Sequence, residues 1–132
     1  MQEAFQPQLN PGPRQIKNMP LTIHTLGNRA PFQYEGSLAV GFHFWIGADG
    51  THEFVASELL ERLIGHFRAQ AGPVAVGASR DNPPAGSIGA WLIENRPGRQ
   101  LASYVAAVLV EERIAVMAGD RLAFPAPTRR NP

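Results

Sequence analysis

From residue 38 the apolar residues fall into a row: Leu38-Ala39-Val40-Gly41-Phe42-His43-Phe44-Trp45-Ile46. A glycine-rich Gly47-Ala48-Asp49-Gly50 follows, and then Thr51-His52-Glu53-Phe54-Val55. Aromatic and β-branched residues on either side of a turn signal predict a β-hairpin over residues 38–55. Whether the turn takes two residues or four, His52 falls opposite an odd-numbered position. His43, Trp45, His52 and Phe54 therefore share one face, and Phe42, Phe44 and Ile46 take the other. Both faces are largely apolar, so one is expected to pack on the chain's own helices and the other on the N-terminal arm or a second chain.

The period then changes from two to 3.6. Leu60, Leu63, Ile64, Phe67 and Ala71 form one stripe, with Ser57 as the expected N-cap and Glu58 and Glu61 near the positive end of the helix dipole. This predicts a first helix over residues 58–71, stopped by Gly72-Pro73. Val74-Ala75-Val76-Gly77 can form a short strand, and residues 79–86 are a loop by composition. Ser87 can cap a short second helix over 88–95, with Ile88, Trp91 and Leu92 inward. After Arg96-Pro97-Gly98, a third helix is predicted over 99–113, striped by Leu101, Tyr104, Val105, Val108 and Leu109. A second hairpin follows, in which Gly119-Asp120 suits a type II′ turn and sets Met117 opposite Leu122.

Before the first hairpin the pattern is broken by Pro7, Pro11, Pro13, Pro20 and Pro31, leaving Leu21-Thr22-Ile23-His24-Thr25-Leu26 as one strand candidate. The expected organisation is a flexible arm (1–31), a hairpin (32–56), a helical domain (57–125) and a tail (126–132). The 132 residues suit one compact fold, and the fold class is α+β.

Composition narrows the chemistry. With no cysteine the chain has no disulfide, no thiol nucleophile and no Cys-based zinc site. The longest apolar run, residues 105–110, is far short of the roughly 20 residues that span a bilayer. The first residues lack a basic and apolar leader, so a cytoplasmic protein is expected. His43 and His52 share a hairpin face, but Glu53 points the other way and Asp49 is needed in the turn, so no metal site is assigned. Ser79-Arg80-Asp81 has no nucleophile-elbow spacing around it, and Arg80 and Asp81 are read as tying down their loop or capping the second helix. No phosphate-binding glycine motif occurs. No catalytic residue and no cofactor is expected, and Trp91 and Tyr104 are read as core anchors.

The order helix, short strand, short helix, Gly-containing turn, longer helix and hairpin, carried by residues 57–124, resembles the winged helix-turn-helix superfamily. The resemblance rests on Ser87 to Asn95, Arg96-Pro97-Gly98, Arg99 to Arg113 and Ile114 to Phe124. It implies a three-helix winged domain whose third helix offers its first turns to the DNA major groove, with the wing beside the backbone. Carried over residue by residue, the DNA-facing positions are Arg96, Arg99, Gln100 and Ser103, extending to Ala106 or Ala107, with Arg121 on the wing. Arg and Gln can read guanine and adenine edges, and Ser can contact phosphate. The same stripe runs on through Ala106 and Val110 beside Glu111, and residues 80–132 hold seven Arg against five Asp or Glu, a thin surplus for a polyanion. Two readings therefore stand. One is a DNA-binding winged helix, a transcriptional regulator or accessory factor on double-stranded DNA. The other is a winged-helix protein-interaction module serving as an accessory or assembly subunit. Either suits a homodimer joined through the 38–55 hairpin.

Overall fold

The computed structural model describes residues 20–26 and 29–126, which form a mixed α+β fold of three helices and two antiparallel sheets. The first sheet is a meander of β1 (Leu21–His24), β2 (Pro31–Ser37), β3 (Gly41–Ile46) and β4 (Thr51–Val55), each strand beside the next. Then come α1 (Ser57–Arg68), β5 (Val74–Ala75), α2 (Ile88–Asn95), α3 (Ala102–Glu111), β6 (Val116–Ala118) and β7 (Arg121–Ala123). The second sheet has the order β5-β7-β6, so the strand between α1 and α2 joins the C-terminal hairpin. Among the described residues no helix is long and apolar enough to cross a membrane.

The first hairpin pairs as its pattern requires. Trp45 lies opposite His52 and His43 opposite Phe54 across a four-residue turn closed by Gly50 N–H to the Gly47 carbonyl. Its start differs from expectation, however. Residues 38–40 are the turn between β2 and β3, and Val40 is 68% exposed. The missing strand is β2, where Phe32 and Tyr34 alternate inward with Gln33 and Glu35 outward, a period-2 signal masked by Pro31 and Gly36. Gly36 (φ +119°) and Gly41 (φ +94°) close that turn, and a Cβ on Gly36 would collide with the Gly41 carbonyl. Within the stretch expected as an arm, Leu21–His24 instead form β1, which pairs with β2 along its whole length. Residues 1–19 and the tail from 127 lie outside the described residues.

The helices keep their places with shorter ends. Ala56, not Ser57, is the N-cap of α1, so Ser57 is the first helical residue and its hydroxyl makes no cap bond. Ser87 caps α2 by accepting from the Ala90 N–H. α3 begins at Ala102 rather than 99, because the Gln100 side chain takes the Ala102 N–H and Leu101 leaves helical geometry. It ends in a Schellman motif: Ile114 N–H bonds to the Leu109 carbonyl and Arg113 N–H to that of Val110, with Arg113 left-handed at φ +65°. In the second hairpin Met117 faces Leu122, with positive φ at Gly119 alone, as a type II′ turn requires.

One continuous core runs through both sheets. Phe32, Tyr34, Phe42, Phe44 and Ile46 meet Leu60, Leu63, Ile64 and Phe67 of α1, Ile88 and Leu92 of α2, and Val105, Val108 and Leu109 of α3. Trp91 and Tyr104 pack against this core from its rim and are half-buried.

Candidate functional site

The corner between α2 and α3 holds four of the five residues singled out in the sequence. Arg96 follows α2, and its guanidinium donates to the Glu53 carboxylate (3.0 Å) and to the Phe54 carbonyl (2.9 Å). Arg99 donates through Nε to the other oxygen of Glu53 (3.1 Å). Gln100 is 8% exposed, with both ends of its amide engaged: Nε2 donates to the Ser79 carbonyl (2.8 Å) and Oε1 accepts from Ala102 N–H. Ser103 is half-buried on the first turn of α3. Arg121 stands exposed on β7, opposite Ala118 in the C-terminal hairpin.

Glu53, which the alternation turns away from His52, is the residue whose partners the sequence left unnamed. It lies on β4 opposite Phe44, hence on the inner face of the first sheet. A carboxylate on the inward side of an edge strand needs a cationic partner, and that was the available signal. Burial pushes its carboxyl up, but the hydrogen bonds and charges of Arg96 and Arg99 outweigh this and hold it below its ordinary 4.5. The two arginines thus share one negative charge before any ligand arrives.

The rest of α3 is also occupied. The sequence predicts an exposed stripe through Ala106 and Val110, but Ala102, Ala106 and Ala107 are buried and Val110 is half-buried. The first sheet reaches a different side of the helix, where Phe32 meets Tyr104 edge-on at 5.1 Å and the Tyr34 hydroxyl donates to Glu112 just past its end. The 79–86 loop, too, is held otherwise than expected. It is tied by Gln100 and by the Ser79 hydroxyl, which accepts from Asn82 N–H. The side chains of Arg80 and Asp81 take no part.

On the outer face of the first sheet, His43, Trp45, His52 and Phe54 form one ring cluster. Centroids are 5.1 Å apart for His43 and His52, 4.6 Å for His43 and Phe54, and 5.4 Å for Trp45 and His52. His43 Nδ1 and His52 Nε2 are 2.8 Å apart, so one nitrogen donates and the other accepts. Gln33 and Glu35 lie beside Trp45 and His43 on β2, and Thr22 and His24 continue the face on β1. Phe54 is 38% exposed, while Trp45 and His43 are half-buried by their neighbours. Among the described residues no group of three or more His, Asp or Glu could hold a metal ion. Compared with known proteins, the chain matches no family model, no curated protein and no solved structure.

Proposed function

We propose that this chain is a non-catalytic protein-interaction module, an accessory or assembly subunit with a winged-helix second half, and that its partner is a second copy docked on the outer face of β1–β4. The winged-helix part of the reading is supported by the element order α1-β5-α2-α3-β6-β7 and by the sheet order β5-β7-β6, which brings the early strand beside the wing. Fold alone does not assign a role. The observation that carries the choice between the two roles is that α3 is already spent: Ala102, Ala106 and Ala107 of its expected open stripe are buried, and Glu53 holds both arginines at its approach. A groove-reading helix needs a free face and unspent positive charge.

The outer face has the makings of a self-complementary contact. It carries a carboxylate, Glu35, and three histidines, His24, His43 and His52, around the Trp45 and Phe54 rings, groups that can hydrogen-bond across a twofold axis through the face. Four strands of about five residues give a flat footprint of roughly 300 Å², against about 800 Å² per partner in a standard interface. The pair is therefore expected to dissociate on dilution.

Two measurements test this. On heparin or duplex DNA, retention is expected to be weak with a shallow salt dependence, and Arg96→Ala with Arg99→Ala should not change it. A steep salt slope that this double variant flattens returns the protein to the DNA-binding reading. In light scattering over a concentration series the mass should rise above 14.4 kDa, and Trp45→Ala should hold it there. A parent chain that stays at the single-chain mass at every concentration removes the second copy as partner.

A further inference from the structure

A second site lies at the α2–α3 corner, on the side of Arg99 away from Glu53. Arg80, Asp81, Gly98, Arg99 and Gln100 line an open cavity of about 450 Å³. Its walls are polar, and their backbone is held in place. Arg80 and Asp81 occupy the two central positions of a turn closed by Asn82 N–H to Ser79 Oγ (3.0 Å), and Gln100 pins that turn to the start of α3 through the Ser79 carbonyl. Pro83 and Pro84 stiffen the chain just beyond. Across the cavity, Gly98 (φ +124°) presents bare backbone, with nothing within 4 Å of where a Cβ would stand.

The charges there are unspent. Among the described residues neither the Arg80 guanidinium nor the Asp81 carboxylate has a hydrogen-bond or ion-pair partner, and although adjacent in sequence they do not pair with each other. Arg99 spends only its Nε on Glu53, so Glu53 orients it while its two terminal amino groups keep their donors. Two arginines and one aspartate thus line one small cavity. A bare oxyanion gains from the arginines and loses against Asp81, whereas a group carrying an ammonium beside its carboxylate is favoured by all three.

We infer that the cavity between Arg80, Asp81 and Arg99 is a binding site for a small amino-carboxylate, a free α-amino acid, with its carboxylate on the two arginines and its ammonium on Asp81. This site is independent of the docking face on the first sheet. Asp81 gives the selectivity, because without it the cavity is a plain anion site. The preference it confers is that of one charge-assisted hydrogen bond, about tenfold in affinity.

The test is an amide-resolved NMR titration of the full chain with glycine, acetate, methylammonium and inorganic phosphate at constant ionic strength. Glycine is expected to shift the amides of Arg80, Gly98 and Gln100 with saturation, and to bind about tenfold more tightly than acetate. Arg80→Ala should weaken both, and Asp81→Asn should bring glycine down to the level of acetate without weakening acetate. Both changes lie on an exposed loop, and thermal melts confirm that the variants fold. Phosphate or acetate binding as tightly as glycine, or glycine binding unaffected by Asp81→Asn, overturns the assignment, as does the absence of saturable shifts at these amides. Loss of a dimer in the light-scattering experiment leaves this result untouched, so the two proposals fail separately.

Discussion

Two glycines inside helices should respond to the same change with opposite signs. Helix propensity alone says that alanine at either position stabilises by up to about 1 kcal/mol. Gly65, in α1, agrees with that expectation: it is exposed, and a Cβ there meets nothing within 4 Å. Gly89, in α2, does not. Its N–H bonds the Val76 carbonyl at 2.8 Å, and a Cβ there would overlap the Gly77 carbonyl oxygen, 2.8 Å from its carbon and 3.0 Å from Gln100 Nε2. Two of these neighbours are backbone atoms and cannot swing aside. Forcing them apart costs about 1–3 kcal/mol of overpacking. Weakening the Gly89 bond, whose donor is buried, adds about 1–2 kcal/mol, and the propensity gain offsets only about 1 kcal/mol. Gly89→Ala is therefore expected to lose about 1–4 kcal/mol, while Gly65→Ala gains up to about 1. Urea melts read both as shifts in midpoint at unchanged slope. If Gly89→Ala melts at or above the parent, the close approach of α2 to the chain after β5 is wrong.

Three further outcomes follow from single side chains. Because the folded Glu53 carboxyl titrates below its ordinary 4.5, it stabilises the fold above that pH, and the contribution fades as pH falls through the folded value. Glu53→Gln should then cost about 1–2 kcal/mol near neutrality, discounted because Arg99 is 44% exposed, with the gap from the parent closing in acid; a gap independent of pH contradicts the shared ion pair. Arg113→Gly removes the left-handed strain at the end of α3 and should raise stability by about 0.5–1 kcal/mol in the same melts; a loss would place the strain elsewhere. Trp91→Ala, at a half-buried ring touching Phe67 and lying under Arg62 (5.6 Å), should cost about 2 kcal/mol, less than the roughly 3–5 of a fully buried tryptophan.

What could be read from the chain depended on range. The faces of the 41–55 hairpin, the cap at Ser87 and the Met117–Leu122 register follow from a few neighbouring residues, where period and turn chemistry act directly. β2 was hidden because Pro31 and Gly36 look like breakers, although proline is tolerated as the first residue of a strand and glycine at its turn end. The stripe on α3 misled for a different reason. Small residues such as Ala102, Ala106 and Ala107 look like an open face, yet they allow the close packing that buries this helix, and nothing local says what packs there. Glu53 and Arg96 meet across 43 positions, so their pairing is a property of tertiary packing. The alternation alone had already turned Glu53 inward, which left its partner as the open question.

The order in which the ribosome delivers these elements adds a further consequence. The meander β1–β4 uses neighbouring pairings and can form as soon as it emerges, but its inner aromatic face has Tyr104 of α3 as part of its cover, and that residue is made much later. β5 is completed later still, since Val74 finds its ladder only when Leu122 arrives. At about 5–20 residues per second, Phe32, Phe42 and Phe44 spend several seconds on a nascent chain without their full covering. For that interval the inner face of the sheet is the unshielded part, and it is there that a chaperone would hold the growing chain.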